Sequence, residues 1–167
     1  MFSRLKQLFS GRSTSTSPVE ETLTLRLPLS PTPENAPELA QKLVETVSKL
    51  DGITLDFSVE SLEALDSRIL AFRNQGATSA QMPETLFMFG CYFGEVLNRH
   101  LGGKWFAPAQ HVAGFAVLAI ELDFGLHANP IGKVFKLLEN GEEDSTVWLY
   151  KVLAAEKSKR TAAPGDA

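Results

Sequence analysis

The chain has 167 residues, of which 44% are hydrophobic and 22% are charged, and its formal net charge is −4. This composition is typical of one globular domain that buries a core without a disulfide or a structural metal. The negative net charge argues against nucleic-acid binding, which requires clustered Lys and Arg side chains. The only cysteine, Cys91, cannot form an internal disulfide, and the three histidines lack the local spacing of a zinc site, so no metal centre is predicted.

Two further features of the sequence concern its cellular location. The longest apolar runs, at residues 86–93 and 115–120, are far shorter than the roughly 20 residues that cross a bilayer as a helix. The N-terminus has no continuous apolar segment ahead of a small-residue cleavage site, so no secretory signal is predicted. Together with the single cysteine, these features predict a cytoplasmic protein.

Residues 1–18 are predicted to form a flexible basic tail, because termini without tethering contacts are usually mobile. The tail has no acidic residue, and its basic residues are Arg4, Lys6 and Arg12. Four apolar residues could share one side of a short helix, namely Phe2, Leu5, Leu8 and Phe9. Such a helix is too short to be stable alone, but it would permit a weak peripheral membrane contact or act as a docking peptide.

The first half of the domain is predicted to contain a strand and two helices. Residues 21–29 alternate leucines with mostly polar residues, which is typical of a half-buried strand, and Pro28 places its end at a sheet edge. An amphipathic helix then ends at Gly52, and its apolar positions are Leu39, Leu43, Val47 and Leu50. Residues 53–57 form a short strand or connector, and Ser58 is placed to cap the next helix. That helix ends at residues 74–76, and its apolar positions are Leu62, Leu65, Ile69 and Phe72.

The stretch LFMFGCYFGEVLNRHLGGKW, residues 86–105, predicts the central helix of the fold. Pro83 suits its first turn, and Gly102 and Gly103 suit its end. Gly90 and Gly94 leave a shallow groove in which another part of the domain could pack closely. The apolar positions that fall on one helix face are Leu86, Phe89, Phe93, Leu97 and Leu101.

The second half of the domain is predicted to contain one strand and two further helices. Residues 115–122 suit an interior strand, and Asn129 and Pro130 begin a helix that stops at residues 140–141. Acidic residues 142–144 favour the start of a last helix, whose buried side would be Trp148, Leu149, Val152 and Leu153. Residues 156–167 are predicted to be a disordered tail. Together these elements predict a single compact α+β domain over residues 19–155, rich in helix and with a small sheet.

The usual catalytic motifs do not fit this sequence. Gly132 and Lys133 open a helix in the manner of a phosphate-binding loop, but Val134 stands where Ser or Thr would bind magnesium. Cys91 could pair with a distant histidine as a nucleophile, although a cysteine inside an apolar helix is usually inert. The sequence therefore predicts no bound cofactor and no catalytic residue.

A polar stripe on the central helix gives the candidate binding site. Glu95 and Arg99 form a pair four residues apart in the favourable order, which alone requires no function. The sharper interpretation is a polar cleft that also receives side chains from a later helix. The residues of this candidate cleft are Tyr92, Glu95, Arg99, Trp105, Asn129 and Lys133.

Two segments, GCYFGEVLNRHLGGKW and NPIGKVFKLLENGEEDS, resemble a bacterial family of small uncharacterised domains. In that family a G-x-Y-x-G-E-V helix ends in G-G-x-W, and N-P-x-x-K-V precedes an N-G-x-E-D-S turn. The resemblance covers residues 55–153 and implies a cytoplasmic bacterial protein, but it implies no activity. The matching positions are Gly90, Tyr92, Gly94, Glu95, Val96, Gly102, Gly103, Trp105, Asn129, Pro130, Lys133, Val134, Asn140, Gly141, Glu143, Asp144 and Ser145.

The sequence leaves three functions open. The leading hypothesis is a non-enzymatic module that binds another protein, as an adaptor or an immunity protein does, through carboxylates such as Glu142, Glu143 and Asp144. The alternative is a small enzyme or ligand-binding domain in which Glu95 is the base or anchor and Arg99 or Lys133 holds an anionic substrate. The third is membrane recruitment by the basic tail.

Overall fold

Five α-helices and a small antiparallel sheet make up the part of the chain described by this computed structural model, residues 25–109 and 117–162. In chain order the elements are α1 (Ala36–Asp51), α2 (Ser61–Asn74), α3 (Pro83–Leu101), β1 (Gly103–Phe106), β2 (Ala119–Leu122), β3 (His127–Ala128), α4 (Pro130–Asn140) and α5 (Thr146–Ala162). They form one compact α+β domain, as predicted. None of the described helices is long and apolar enough to cross a membrane.

The helix ends follow local sequence signals. Helix α1 stops at Gly52, whose φ of 65° is left-handed, and the predicted apolar positions Leu39, Leu43 and Val47 are buried. Helix α3 begins at Pro83, whose ring supplies the φ that a first turn needs. Ser58 was predicted to cap α2; its Oγ accepts from the backbone N–H of Ser61 at 3.1 Å, but the N-cap position itself is Glu60, whose side chain makes no capping hydrogen bond.

Helix α3 is the centre of the core, and every residue from Pro83 to Leu97 is buried. It packs against α1, α4 and both longer strands of the sheet. At Gly90 an added Cβ would lie 2.5 Å from the Cα of Ile131, so glycine allows the backbone of α4 to approach. The predicted groove on α3 is therefore filled within the domain.

The sheet has the order β1-β2-β3, and both pairings are antiparallel. Trp105 of β1 pairs with Ile120 of β2, and Ile120 pairs in turn with Ala128. The prediction of an interior strand is confirmed for residues 119–122, whereas Val117 and Leu118 precede the strand and residues 115–116 lie outside the described part. The sequence pattern did not predict β1 or β3.

The strand predicted at residues 21–29 is wrong over its described part. Leu25, Leu27 and Leu29 are half-buried with exposed residues between them, so the alternation is present, but residues 25–29 join no sheet. The backbone N–H of Arg26 donates instead to the Glu84 carboxylate at 3.1 Å. Residues 53–57 are likewise a connector rather than a strand, and residues 1–24 lie outside the description.

Helix α5 differs from its prediction in three ways. The acidic residues Glu142–Asp144 form a separate 3₁₀ turn, and the helix begins only at Thr146. Trp148 and Val152, predicted to be buried, are 57% and 42% exposed. The helix also continues to Ala162, so residues 156–162 are helical rather than part of a tail, and residues 163–167 lie outside the description.

Candidate functional site

Glu95 faces β1 and is bound to Trp105. The indole Nε1 of Trp105 donates to Glu95 Oε1 at 2.8 Å, and the Arg99 Nε lies 3.6 Å from Oε2. The Trp105 ring rests on Gly94, where an added Cβ would lie 2.2 Å from two ring atoms. Since Glu95 is only 7% exposed and already holds the indole, its carboxylate acts first as an internal acceptor.

Tyr92 turns toward the segment between α1 and α2. Its hydroxyl accepts from the backbone N–H of Phe57 at 2.8 Å and lies 2.6 Å from Ser61 Oγ. Because the Ser61 hydroxyl donates its one proton to the carbonyl of Ser58, the Tyr92 hydroxyl is the donor to Ser61. Burial raises the pKa of Tyr92 above its usual value, which keeps this donor protonated at neutral pH.

Phe57 joins the two halves of the polar stripe, although no sequence signal singled it out. Its ring stacks on Tyr92, with centroids 4.7 Å apart, and the Arg99 guanidinium lies 3.7 Å from its centroid. Its carbonyl is 2.8 Å from the Nε2 of His100. Its φ of 61° is left-handed, a conformation that a bulky residue adopts only when its surroundings fix it.

Asn129 and Lys133 lie at the start of α4 and have other partners. Asn129 caps that helix by accepting from the Gly132 N–H at 2.8 Å. The Lys133 Nζ is 2.7 Å from an Asp144 oxygen and 5.6 Å from the centroid of the Trp148 ring. The hydrogen bond from Lys133 lowers the pKa of Asp144. The structure therefore joins Tyr92, Glu95, Arg99 and Trp105 in one chain of contacts and pairs Lys133 with the acidic turn before α5.

Asp66 of α2 is a structural carboxylate that the sequence analysis missed. It is 8% exposed and accepts from the hydroxyl of Ser145 at 2.6 Å and from the N–H and hydroxyl of Thr146 at 3.1 and 2.6 Å. A longer contact of 3.4 Å reaches the Val147 N–H. Ser145 caps α5 by accepting from the Trp148 N–H at 3.1 Å, and Asp66 adds a second set of acceptors and a negative charge at the positive end of the helix. No local spacing could indicate a partner about 80 residues away.

The other side chains that could act as nucleophiles, metal ligands or anion-binding groups have structural roles. Burial raises the pKa of Cys91, so this cysteine is a protonated thiol rather than a nucleophile. Among the described residues, no three His, Cys, Asp or Glu side chains are grouped as a metal site, and His111 lies outside that part. A groove of about 240 Å³ lies between α2 and α4, but its Arg73 guanidinium is held by the carbonyls of Leu138 and Glu139.

Apolar side chains are exposed on α5. Among the described residues, the large hydrophobic side chains that are exposed are Val117, Trp148 and Val152. Trp148 and Val152 are one helical turn apart, and the exposed Ala155 extends the same stripe. We call Trp148, Val152 and Ala155 the outer face of α5.

Comparison of the chain with protein-family models, with curated proteins and with solved structures finds no match. The resemblance to the bacterial family is tested by none of these comparisons and stays a prediction.

Proposed function

We propose that the chain is a non-enzymatic, cytoplasmic bacterial module that binds another protein, as an adaptor or an immunity protein does, through the outer face of α5. The observation that carries this proposal is the exposure of Trp148, at 57%, beside Val152, at 42%, on a helix that the domain holds firmly at its start. Tryptophan is the residue most enriched among interface residues that dominate binding energy.

The surroundings of Trp148 favour an interface over accidental exposure. Lys133, itself fixed by Asp144 at 2.7 Å, lies over the indole ring and holds the side chain near one position. A side chain ordered before binding loses less conformational entropy when a partner covers it. Glu142 and Glu143 are exposed just before α5, and they would supply the polar rim of such an interface.

The alternative function, a small enzyme or ligand-binding domain, would use the stripe around Glu95. Its support is the left-handed Phe57 beside Arg99, whose side chain is 48% exposed and could meet an anion. Against it stands the 7% exposure of Glu95, whose Oε1 accepts the Trp105 N–H. The other oxygen, Oε2, faces the Arg99 Nε at 3.6 Å, so a ligand would have to reach a carboxylate that is already partnered on both oxygens and almost fully buried.

The proposal is tested by affinity purification from native lysate, with proteomics and intact-mass analysis of the same eluate. We expect the wild type to recover a protein in stoichiometric amount and Trp148→Ala to lose it. Val117→Ser is the matched control, because Val117 is 56% exposed ahead of β2 and lies off the outer face of α5. Unchanged recovery with Trp148→Ala, or a retained small molecule without a protein, would contradict the proposal.

A further inference from the structure

The outer face of α5 is apolar in its middle, and the chain carries negative charge just ahead of it. Trp148, Val152 and Ala155 are exposed over two turns of the helix. Glu142 and Glu143 are exposed in the preceding 3₁₀ turn. Within the described part of the chain, neither of these two carboxylates forms an ion pair. The start of this surface therefore carries two unpaired negative charges.

The other end of the outer face is basic. Lys159 continues the stripe by one more helical turn and is exposed. Its ion-pair partner, Glu156, lies 3.8 Å away and is held more closely by Arg160, at 3.1 Å. Together with Lys157, residues 156–160 contain three basic residues and one acidic residue. Because a helix of 17 residues is about 25 Å long, the acidic and basic ends are too far apart to pair within one copy.

A second copy of α5, laid antiparallel to the first, satisfies both ends at once. A two-fold axis places the acidic end of each copy beside the basic end of the other, so each favourable contact occurs twice. With the axis near residue 150, Trp148 of each copy faces Val152 of the other, and Lys159 lies level with Glu142 of the other copy. The apolar middle is then removed from water, while the charged ends form the rim of the interface.

Two lysines near Trp148 are compatible with this arrangement. The charge of Lys133 is already balanced by Asp144, at 2.7 Å. Lys151 is exposed and lies to one side of the line from Trp148 to Val152, so its aliphatic stem can cover the apolar middle while its ammonium group stays in water. The two Lys151 ammonium groups of a dimer lie on the same side of the interface, where salt screens their repulsion.

We propose that the chain forms a two-fold dimer in which α5 pairs antiparallel with α5 of a second copy. One helix on each side buries less than the roughly 1,200 Å² at which stable complexes begin, so the dimer should be weak and exchange rapidly with the monomer. The same Trp148 serves the partner-binding function proposed above, so a second copy and that partner exclude each other. The pairing itself does not depend on that function.

Sedimentation equilibrium of the purified full chain tests the pairing directly. Over a hundredfold range of concentration, we expect the average mass to rise from 18.3 kDa toward twice that value, and to rise less at high salt. The mass of one chain at every concentration would overturn the proposal. A mass that rises beyond two chains would also overturn it, because an open head-to-tail contact continues to add copies whereas a two-fold contact closes.

Charge reversal at the two ends tests the antiparallel arrangement. Glu142→Lys and Lys159→Glu should each weaken the dimer about tenfold, because the symmetry applies each change twice. An equimolar mixture of the two variants should associate about as tightly as the wild type, since each contact then pairs a lysine with a glutamate. The matched controls are Glu45→Lys and Lys49→Glu, at exposed positions of α1, and they should leave association unchanged. Variants that associate as the wild type does, or a mixture that stays monomeric, would overturn the pairing.

These experiments separate the pairing from the proposed function. A chain that stays monomeric, while its partner is lost with Trp148→Ala, would reject the pairing and leave the protein-binding function standing. A dimer that responds to charge reversal as expected, with no partner recovered from native lysate, would support the pairing and count against the proposed function.

Discussion

Replacement of Asp66 by asparagine should detach the start of α5 from α2. Asparagine has nearly the same shape, but it is neutral and turns an amide NH₂ toward the donors that the carboxylate now accepts. Oδ1 accepts from the N–H and hydroxyl of Thr146, and Oδ2 accepts from the Ser145 hydroxyl. One of the two oxygen positions is therefore lost, and a buried donor is left facing another donor.

The expected cost follows from these contacts. A hydrogen bond to a charged group contributes about 1.5 to 3 kcal/mol net, and a buried donor without an acceptor costs a similar amount. With Asp66 only 8% exposed, we expect Asp66→Asn to lower the free energy of unfolding by about 3 kcal/mol. That is a large share of the 5–15 kcal/mol typical of a domain, and it corresponds to a fall in Tm of about 10 °C.

Urea denaturation and native-state hydrogen exchange measure the two parts of this prediction. Exchange should accelerate first in α5, before α3 opens, because the mutation acts on the contact that holds α5. Glu63→Gln is the matched control, since Glu63 is exposed one turn earlier on the same helix. A loss below about 1 kcal/mol, with α5 protection unchanged, would refute the role assigned to Asp66.

Three further predictions concern α3 and its neighbours. Glu95→Leu should lower the free energy of unfolding by about 2 kcal/mol, because it leaves the Trp105 N–H without its acceptor. Glu95→Gln keeps an acceptor and should lower it by less than about 1 kcal/mol in urea denaturation. Equal losses in the two variants would show that Glu95 does not stabilise the domain through the indole hydrogen bond. Gly90→Ala should lower the free energy of unfolding by more than about 2 kcal/mol, because the alanine Cβ would collide with the backbone of α4. An unchanged Tm in thermal denaturation would contradict this close packing. Burial raises the pKa of Tyr92 and of Tyr150 above the usual 10.0. The contribution of the two protonated hydroxyls to stability is therefore complete below pH 10.0, and it is lost as the pH rises through their pKa values in the folded state. Tyrosinate absorbance should therefore appear at higher pH in the folded chain than in urea, and coincident titrations would disprove it.

The helices could be predicted because their signals are local. Apolar residues at three- and four-residue spacing and end signals such as Gly52, Pro83 and Gly141 lie within each element. The segment at residues 25–29 has a local pattern that does not decide its structure. Its alternating burial was predicted correctly, but a strand also needs a neighbour to pair with, and here the Arg26 N–H finds the Glu84 carboxylate instead.

The site residues show the same division between local and distant contacts. Glu95 and Arg99 could be predicted as a pair because one helical turn separates them. Phe57 and Asp66 were missed, since their partners lie in other elements and their own neighbours in sequence carry no signal. The buried side of α5 was wrong for a related reason. The Asp66 carboxylate accepts hydrogen bonds from residues 145–147 and thereby fixes the rotation of α5, which leaves Trp148 and Val152 exposed to solvent.

The most direct test of the proposed function compares three forms of the full chain in native-lysate affinity purification. The wild type and Glu95→Gln should recover the same protein partner in stoichiometric amount, and Trp148→Ala should recover none while keeping the wild-type Tm. Recovery that survives Trp148→Ala but is lost with Glu95→Gln would contradict the account and move the binding site from the outer face of α5 to the stripe around Glu95.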